Sequence, residues 1–229
     1  MHTFKVIGLL LHYPDEQLVA HTRELGEALD VEGLVAGRCR EGFERLLERL
    51  RARDLLDLQA EYVETFDRGR ARSLHLFEHV HGESRDRGQA MVDLQQVYRE
   101  NGFQIASREL PDYLPLFLEF LSTLELEAAA AWLEETGPLL AVLHARLAED
   151  GNPYAVVFEP LLALAGCEPE DAELRARVAA QPPDNTAEAL DRVWMEEPVT
   201  FGPEGGCPSA RPQRKTTPIQ WAERRQQAR

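Results

Sequence analysis

The chain has 229 residues, 44% of them hydrophobic and 28% charged, with a formal net charge of −15. That length buries one good core and at most a small second lobe, and the acidity disfavours nucleic acid and anionic membranes as partners. Cys39, Cys167 and Cys207 lie far apart with no CxxC pair, which argues against a disulfide framework or a zinc knuckle and fits a reducing cytoplasm.

In chain order almost every segment reads as helix. The apolar run Val6 to Leu11 is too short for a membrane span and lacks the cleavage site of a secretory signal. Thr3 is placed to cap this first helix, which ends before Tyr13-Pro14. Asp15 is placed to cap a second helix carrying Leu18, Leu25 and Leu29. A third carries Phe43, Leu46, Leu47 and Leu50, and Leu55, Leu58, Tyr62 and Phe66 form the stripe of a fourth. A charged loop with Gly69 follows, then a helix capped by Ser73, bearing His75, Phe77, Glu78 and His79 and stopped by Gly82.

Asp86, Arg87 and Gly88 open the next helix, with Met91, Leu94, Val97 and Tyr98 along one face and Asn101-Gly102 as its stop. Pro111, Asp112 and Tyr113 open another, Asp112 as its cap, with Leu114, Phe117, Leu118, Leu121 and Leu124 inward. Gly137-Pro138 is expected to break the alanine-rich segment that follows. Asn152-Pro153 pairs a cap with a proline at the first helical position, and Pro160 should bend that helix. Asn185 with Glu188 resembles a capping box for a last short helix. No segment alternates with period two, so the expected fold is all-α: one compact, bundle-like domain of nine or ten short helices over residues 1–201. Residues 202–229 read as a basic, mostly disordered tail. From Arg211 to Arg229 six basic residues face one acid, which leaves −20 on the rest of the chain.

The chemistry-bearing candidates are weak. His75 and His79 are four apart with His81 near, a spacing that can bring two imidazoles to one metal. HExxH is absent, however, and Glu78 with His81 is the single Glu-x-x-His pair, where a di-iron bundle needs two. A helical metal-dependent enzyme using His75, Glu78, His79 and His81 is therefore the alternative, and no metal or other cofactor is expected. There is no P-loop, GxGxxG or GxSxG. What stands out is the band from Glu61 to Leu121. It mixes Tyr62, Phe66, Phe77, Tyr98, Tyr113 and Phe117 with Glu61, Asp67, Glu78, Asp86 and Asp112 and contains no catalytic set. Taken alone, these residues suit an aromatic core with charged helix ends as well as an acid-rimmed groove for another polypeptide.

Glu61-Tyr-Val-Glu-Thr-Phe-Asp67 followed by a basic loop resembles the delta-subunit family of respiratory nitrate reductase assembly chaperones, within the TorD-like group of redox-enzyme maturation chaperones. The resemblance continues through Leu10-Leu-His-Tyr-Pro14, Arg85-Asp-Arg-Gly88, Tyr98, Asn101-Gly-Phe103, Glu109-Leu-Pro-Asp-Tyr-Leu-Pro115 and Trp194-Met-Glu-Glu-Pro-Val-Thr-Phe201, so it spans residues 7 to 201. It implies a TorD-like helical fold and a cytoplasmic, non-catalytic chaperone. Its partner would be the cofactor-free catalytic subunit of a membrane-bound nitrate reductase, held by its N-terminal peptide until the molybdenum cofactor is inserted. Neither nucleic acid nor a stable membrane contact is expected. Under that resemblance Glu61, Tyr62, Phe66, Asp67, Phe77, Glu78, His79, Asp86, Arg87, Tyr98, Pro111, Asp112 and Tyr113 are the expected client-peptide residues. An apolar groove with an acidic rim would suit a peptide with a basic head and an apolar helical stretch.

Overall fold

The computed structural model describes residues 1–81, 85–169, 171–182 and 184–194. Their order is α1 (His2–Leu10), α2 (Glu16–Ala20), α3 (Thr22–Glu32), α4 (Gly37–Ala52), α5 (Leu55–Tyr62), α6 (Leu76–His81), α7 (Arg85–Glu100), α8 (Leu114–Ser122), α9 (Leu126–Glu149), α10 (Glu159–Leu164), α11 (Ala172–Ala179) and α12 (Ala187–Trp194). A π-helical turn covers Val63–Asp67, and 3-10 turns cover Arg70–Arg72 and Pro153–Phe158. The fold is all-α, as expected. Among the described residues the helices number twelve, nine of them with seven or more residues, because the second expected helix divides at His21 and short helices follow the turns. Met1–Arg192 forms one compact unit. The basic tail, the stop at Gly82 and the motif from Met195 to Phe201 lie outside the described residues.

The core gathers where apolar stripes meet. Phe4, Val6, Ile7 and Leu10 make α1 apolar on most sides, and it is buried against α3 and α8. α8 brings Leu114, Phe117, Leu118, Phe120 and Leu121, all buried. The stripe Phe43, Leu46, Leu47 and Leu50 of α4 is buried as its spacing requires. α9 lies against the second 3-10 turn, α10 and α11. Leu94 and Tyr98 bury the inner face of α7, with Met91 and Val97 half-buried beside them.

Local signals and tertiary contacts disagree at several helix ends. Asp15 caps α2 as expected, accepting from Leu18 N at 2.7 Å, and Asn152 accepts from Tyr154 N at 2.9 Å. Thr3 is not a cap. Glu32, at the end of α3, accepts from His2 N, Thr3 N and Thr3 Oγ1 at 2.7, 2.9 and 2.8 Å, and a carboxylate at the positive end of α1 fills that role better than a hydroxyl. Asp112 does not cap α8, whose cap position is Tyr113, because its carboxylate is drawn to α6 instead. His75 precedes α6 and forms an isolated antiparallel bridge with Tyr113. Pro138 leaves α9 unbroken over 24 residues. Both Pro138 and Glu134, whose carbonyl loses its donor, face solvent, where water can replace that bond. Pro160 sits in the first turn of α10, so the expected bend appears as a change from 3-10 to α geometry. At α12, Thr186 Oγ1 accepts from Ala189 N at 3.2 Å, the position the sequence assigned to Asn185.

Candidate functional site

The Glu61–Leu121 band is organised around one buried carboxylate. Tyr98 OH donates to the Pro111 carbonyl at 2.8 Å, tying the connection between α7 and α8 back to α7. Beyond Pro111, Leu76 N donates to Asp112 O at 3.0 Å and Leu114 N to Leu74 O at 2.8 Å, pairing two short extended stretches. Asp112 is thereby 0% exposed. Its Oδ2 accepts from Phe77 N at 3.1 Å, and His75 Nδ1 lies 3.3 Å from Oδ1. Arg87 Nη2 stands 3.6 Å from Oδ2, while Nη1 reaches Glu78 Oε1 at 3.2 Å. A carboxylate without water is tolerable only when such donors surround it. The bond to Asp112 holds the His75 imidazole above its ordinary pKa, against the opposing effect of burial.

Beside this carboxylate lies an aromatic cluster of His12, Tyr13, Tyr62, Phe66 and Tyr113, here termed the mouth. The Tyr113 ring contacts both His12 and His75, each with its centroid 5.4 Å away. Tyr62 OH donates to Leu11 O at 2.8 Å and lies 3.3 Å from Tyr113 OH. Tyr13 meets Tyr62 edge-on at 5.5 Å, and Phe66 bridges Tyr62 and Tyr154 at 5.0 and 5.2 Å. Burial raises the pKa of both phenols, Tyr62 and Tyr113. The π-helical turn, closed by Arg68 N to Val63 O at 3.1 Å, buries Phe66 while bringing Asp67 to the surface. Partial burial raises the Asp67 carboxyl, and the charge of His75 pulls it back. Burial lowers His12, with Glu109, Glu119 and Asp15 opposing that shift.

The expected client-binding residues fall into distinct groups. Tyr62, Phe66 and Tyr98 are buried and offer no free lining: Tyr62 and Phe66 pack within the cluster, whereas Tyr98 packs on Phe103 and Phe120. Glu61 turns toward α4, where Arg49 and Arg53 hold its carboxylate at 2.8 and 2.6 Å, which removes it from the rim. Asp112, Arg87 and Glu78 form the inner polar cluster, and Pro111 positions it. Tyr113 is almost covered, Phe77 half-buried, and Asp67 and Asp86 exposed. The sequence band omitted His12 and Tyr13, which follow the end of α1. Their signal was the Leu10-Leu-His-Tyr-Pro14 motif. Next to the mouth, Tyr13, Leu56 and Val63 (48, 73 and 39% exposed) lead into a shallow cleft of about 410 Å³ that also takes in Gln59, Glu64 and Arg68.

The metal-enzyme alternative does not survive the geometry. His75 faces Asp112, His79 Nε2 bonds Ser73 O at 2.8 Å, Glu78 faces Arg87, and the His81 ring stands against Phe77. These four donors point to four separate partners. Among the described residues no group of three or more His, Cys, Asp or Glu could hold a metal ion.

The aromatic cluster thus adjoins an open cleft in which Tyr13, Leu56 and Val63 stand beside Gln59, Glu64 and Arg68, on an all-helical body. Residues 32–159 match the family model "Nitrate reductase delta subunit". The chain is 46% identical over 202 residues to the nitrate reductase molybdenum cofactor assembly chaperone NarJ of Escherichia coli (strain K12), covering 88% of this chain and 86% of that one. A NarJ relative from Bacillus subtilis (strain 168) is 34% identical over 161 residues, 70% of this chain and 86% of its own. A solved structure from Archaeoglobus fulgidus, described as a redox enzyme maturation protein, shares the fold. Its TM-score is 0.50 at 20% identity, over 72% of this chain and 94% of that one. The chain belongs to the nitrate reductase delta-subunit family of assembly chaperones.

Proposed function

We propose that this chain is a dedicated chaperone that binds the N-terminal segment of the cofactor-free catalytic subunit of a membrane-bound nitrate reductase. It keeps that subunit competent for molybdenum cofactor insertion and delays its docking on the membrane, and the encounter takes place in the cytoplasm. The observation that carries this reading is the 46% identity with NarJ over 88% of the chain. The mouth gives it physical form. The apolar stretch of a helical peptide lies along Tyr13, Leu56 and Val63, and its basic head meets Asp67 and the carboxylates around His12. No helix among the described residues is long and apolar enough to cross a membrane.

Titrating a peptide from the N-terminus of the client subunit at low and high salt tests the reading. Binding should weaken at high salt, since exposed charges are screened. Leu56→Asp, at a solvent-facing position, should lower affinity roughly tenfold or more without unfolding the protein, by leaving a charge against apolar surface. Asp67→Ala should reduce the salt dependence. Salt-independent affinity, or wild-type affinity in Leu56→Asp, would contradict it.

A further inference from the structure

The loop between the π-helical turn and α6 carries Asp67 at one end and His75 at the other, and both flank the mouth. Its tip, Gly69 to Arg72, is held by a segment far away in sequence. Asp184 Oδ2 accepts from Ala71 N at 2.6 Å. Arg146, on α9, donates to the Ala71 carbonyl through Nη1 and to Gln181 Oε1 through Nη2, the latter at 2.9 Å. Arg72 pairs with Asp150 beside them. The fit is close: a Cβ built on Gly69 would lie 2.5 to 2.8 Å from three atoms of the Asp184 carboxylate, and those are its nearest neighbours. Gly69 has an extended backbone (φ −138°) that any residue tolerates, so what favours glycine there is the close approach of the Asp184 carboxylate and not the backbone.

We propose that Asp184 is a positioning residue for the client-peptide site. Its carboxylate, docked in the space left by Gly69 and hydrogen-bonded to Ala71, fixes the loop that sets the spacing of Asp67 and His75. This rests on the reading of the mouth as the peptide site. The connection between α11 and α12 thus touches the loop tip directly through Asp184 and indirectly through Gln181, by way of Arg146.

Hydrogen exchange of the 69–75 amides and affinity for the client N-terminal peptide, measured on the full chain, test the proposal together. Asp184→Ala should speed exchange at Ala71 and its neighbours by roughly tenfold or more, the loss of a charge-assisted bond, and should weaken peptide binding several-fold. Asp184→Asn keeps an oxygen acceptor and should restore most of both. Gly69→Ala should reproduce Asp184→Ala by displacing the carboxylate. Added to Asp184→Ala it should do nothing further, because the clash has gone. A thermal melt checks that each variant is folded. Unchanged exchange in Asp184→Ala, faster exchange with unchanged peptide affinity, or additive Gly69 and Asp184 effects would each overturn the proposal. A wild-type chain that ignores the peptide would instead sink the reading of the mouth, and the positioning role with it, while the exchange data still reported on the clasp.

Discussion

At the scale of single residues, Asp112 is the most consequential side chain described. It is fully buried and holds Phe77 N, His75 and Arg87 together. Asp112→Ala leaves a cation and two donors without their acceptor, so it should destabilise the fold by about 3–5 kcal/mol, read as a lower urea midpoint at unchanged slope. Asp112→Asn keeps an acceptor for Phe77 N and should cost less. His75 adds a pH dependence of definite sign. Its folded-state pKa is raised above 6.5. The protonated form is therefore favoured on folding, its contribution is complete below 6.5, and it fades as pH rises through the folded value. The stability gap between wild type and His75→Gln should shrink on going from about pH 6 to about pH 9; a gap that grows would contradict this. His12 and His79 act in the opposite sense, because burial lowers both, so their contribution is present above 6.5 and is lost as pH falls.

Among the elements, the contact between α4 and the Pro153–Phe158 turn is made possible by a missing side chain. A Cβ on Gly42 would come 2.5 Å from Val156 Cγ2. Gly42→Ala should therefore destabilise by about 1–3 kcal/mol through overpacking, and Val156→Ala in the same chain should recover part of that loss in thermal melts. The sequence made most of these elements legible because apolar spacing along a helix reports burial directly: the stripes of α4, α7 and α8 are buried or half-buried as read. It failed where a distant partner overrode a local cue. Asp112 sits at a plausible cap position, yet its acceptor oxygens serve residues 35 and 37 positions earlier in the chain. Thr3 lost its cap to Glu32, 29 residues later. Pro138 looked like a break because proline removes a donor, but its exposure makes that loss harmless.

For the whole molecule, the same distinction explains how far the candidate site could be read. The aromatic and acidic residue types were visible in one stretch, but their orientations were not. The mouth needs His12 and Tyr13 from a helix end some 50 residues before Tyr62, and Tyr62 OH bonds Leu11 O across that gap. Glu61 resembles its acidic neighbours in composition, yet two arginines of the preceding helix and its flank hold it inward. Function imposes a thermodynamic condition at this scale as well. A chaperone that waits for cofactor loading must prefer the unloaded client, since only a difference in affinity between two states can drive release. Pull-downs with matched cofactor-free and cofactor-loaded catalytic subunit should recover the former in excess, and equal recovery would exclude release gated by loading.

The π-helical turn at Val63–Asp67 has a consequence for how this segment can vary over evolutionary time. Its wider ring holds one residue more than an α-turn would. Deleting a single position there would leave a regular helix that is locally more comfortable. Because the wide ring takes up its extra residue within one turn, the chain would still leave the turn in nearly the same direction, and the loss would fall on one side chain among Val63 to Thr65. Phe66 would keep its side of the turn, toward Tyr154, and Asp67 its side, toward the surface. Among homologues, the residue count between Tyr62 and Asp67 should therefore differ by no more than this one position, while a gain or loss of two would turn both side chains away.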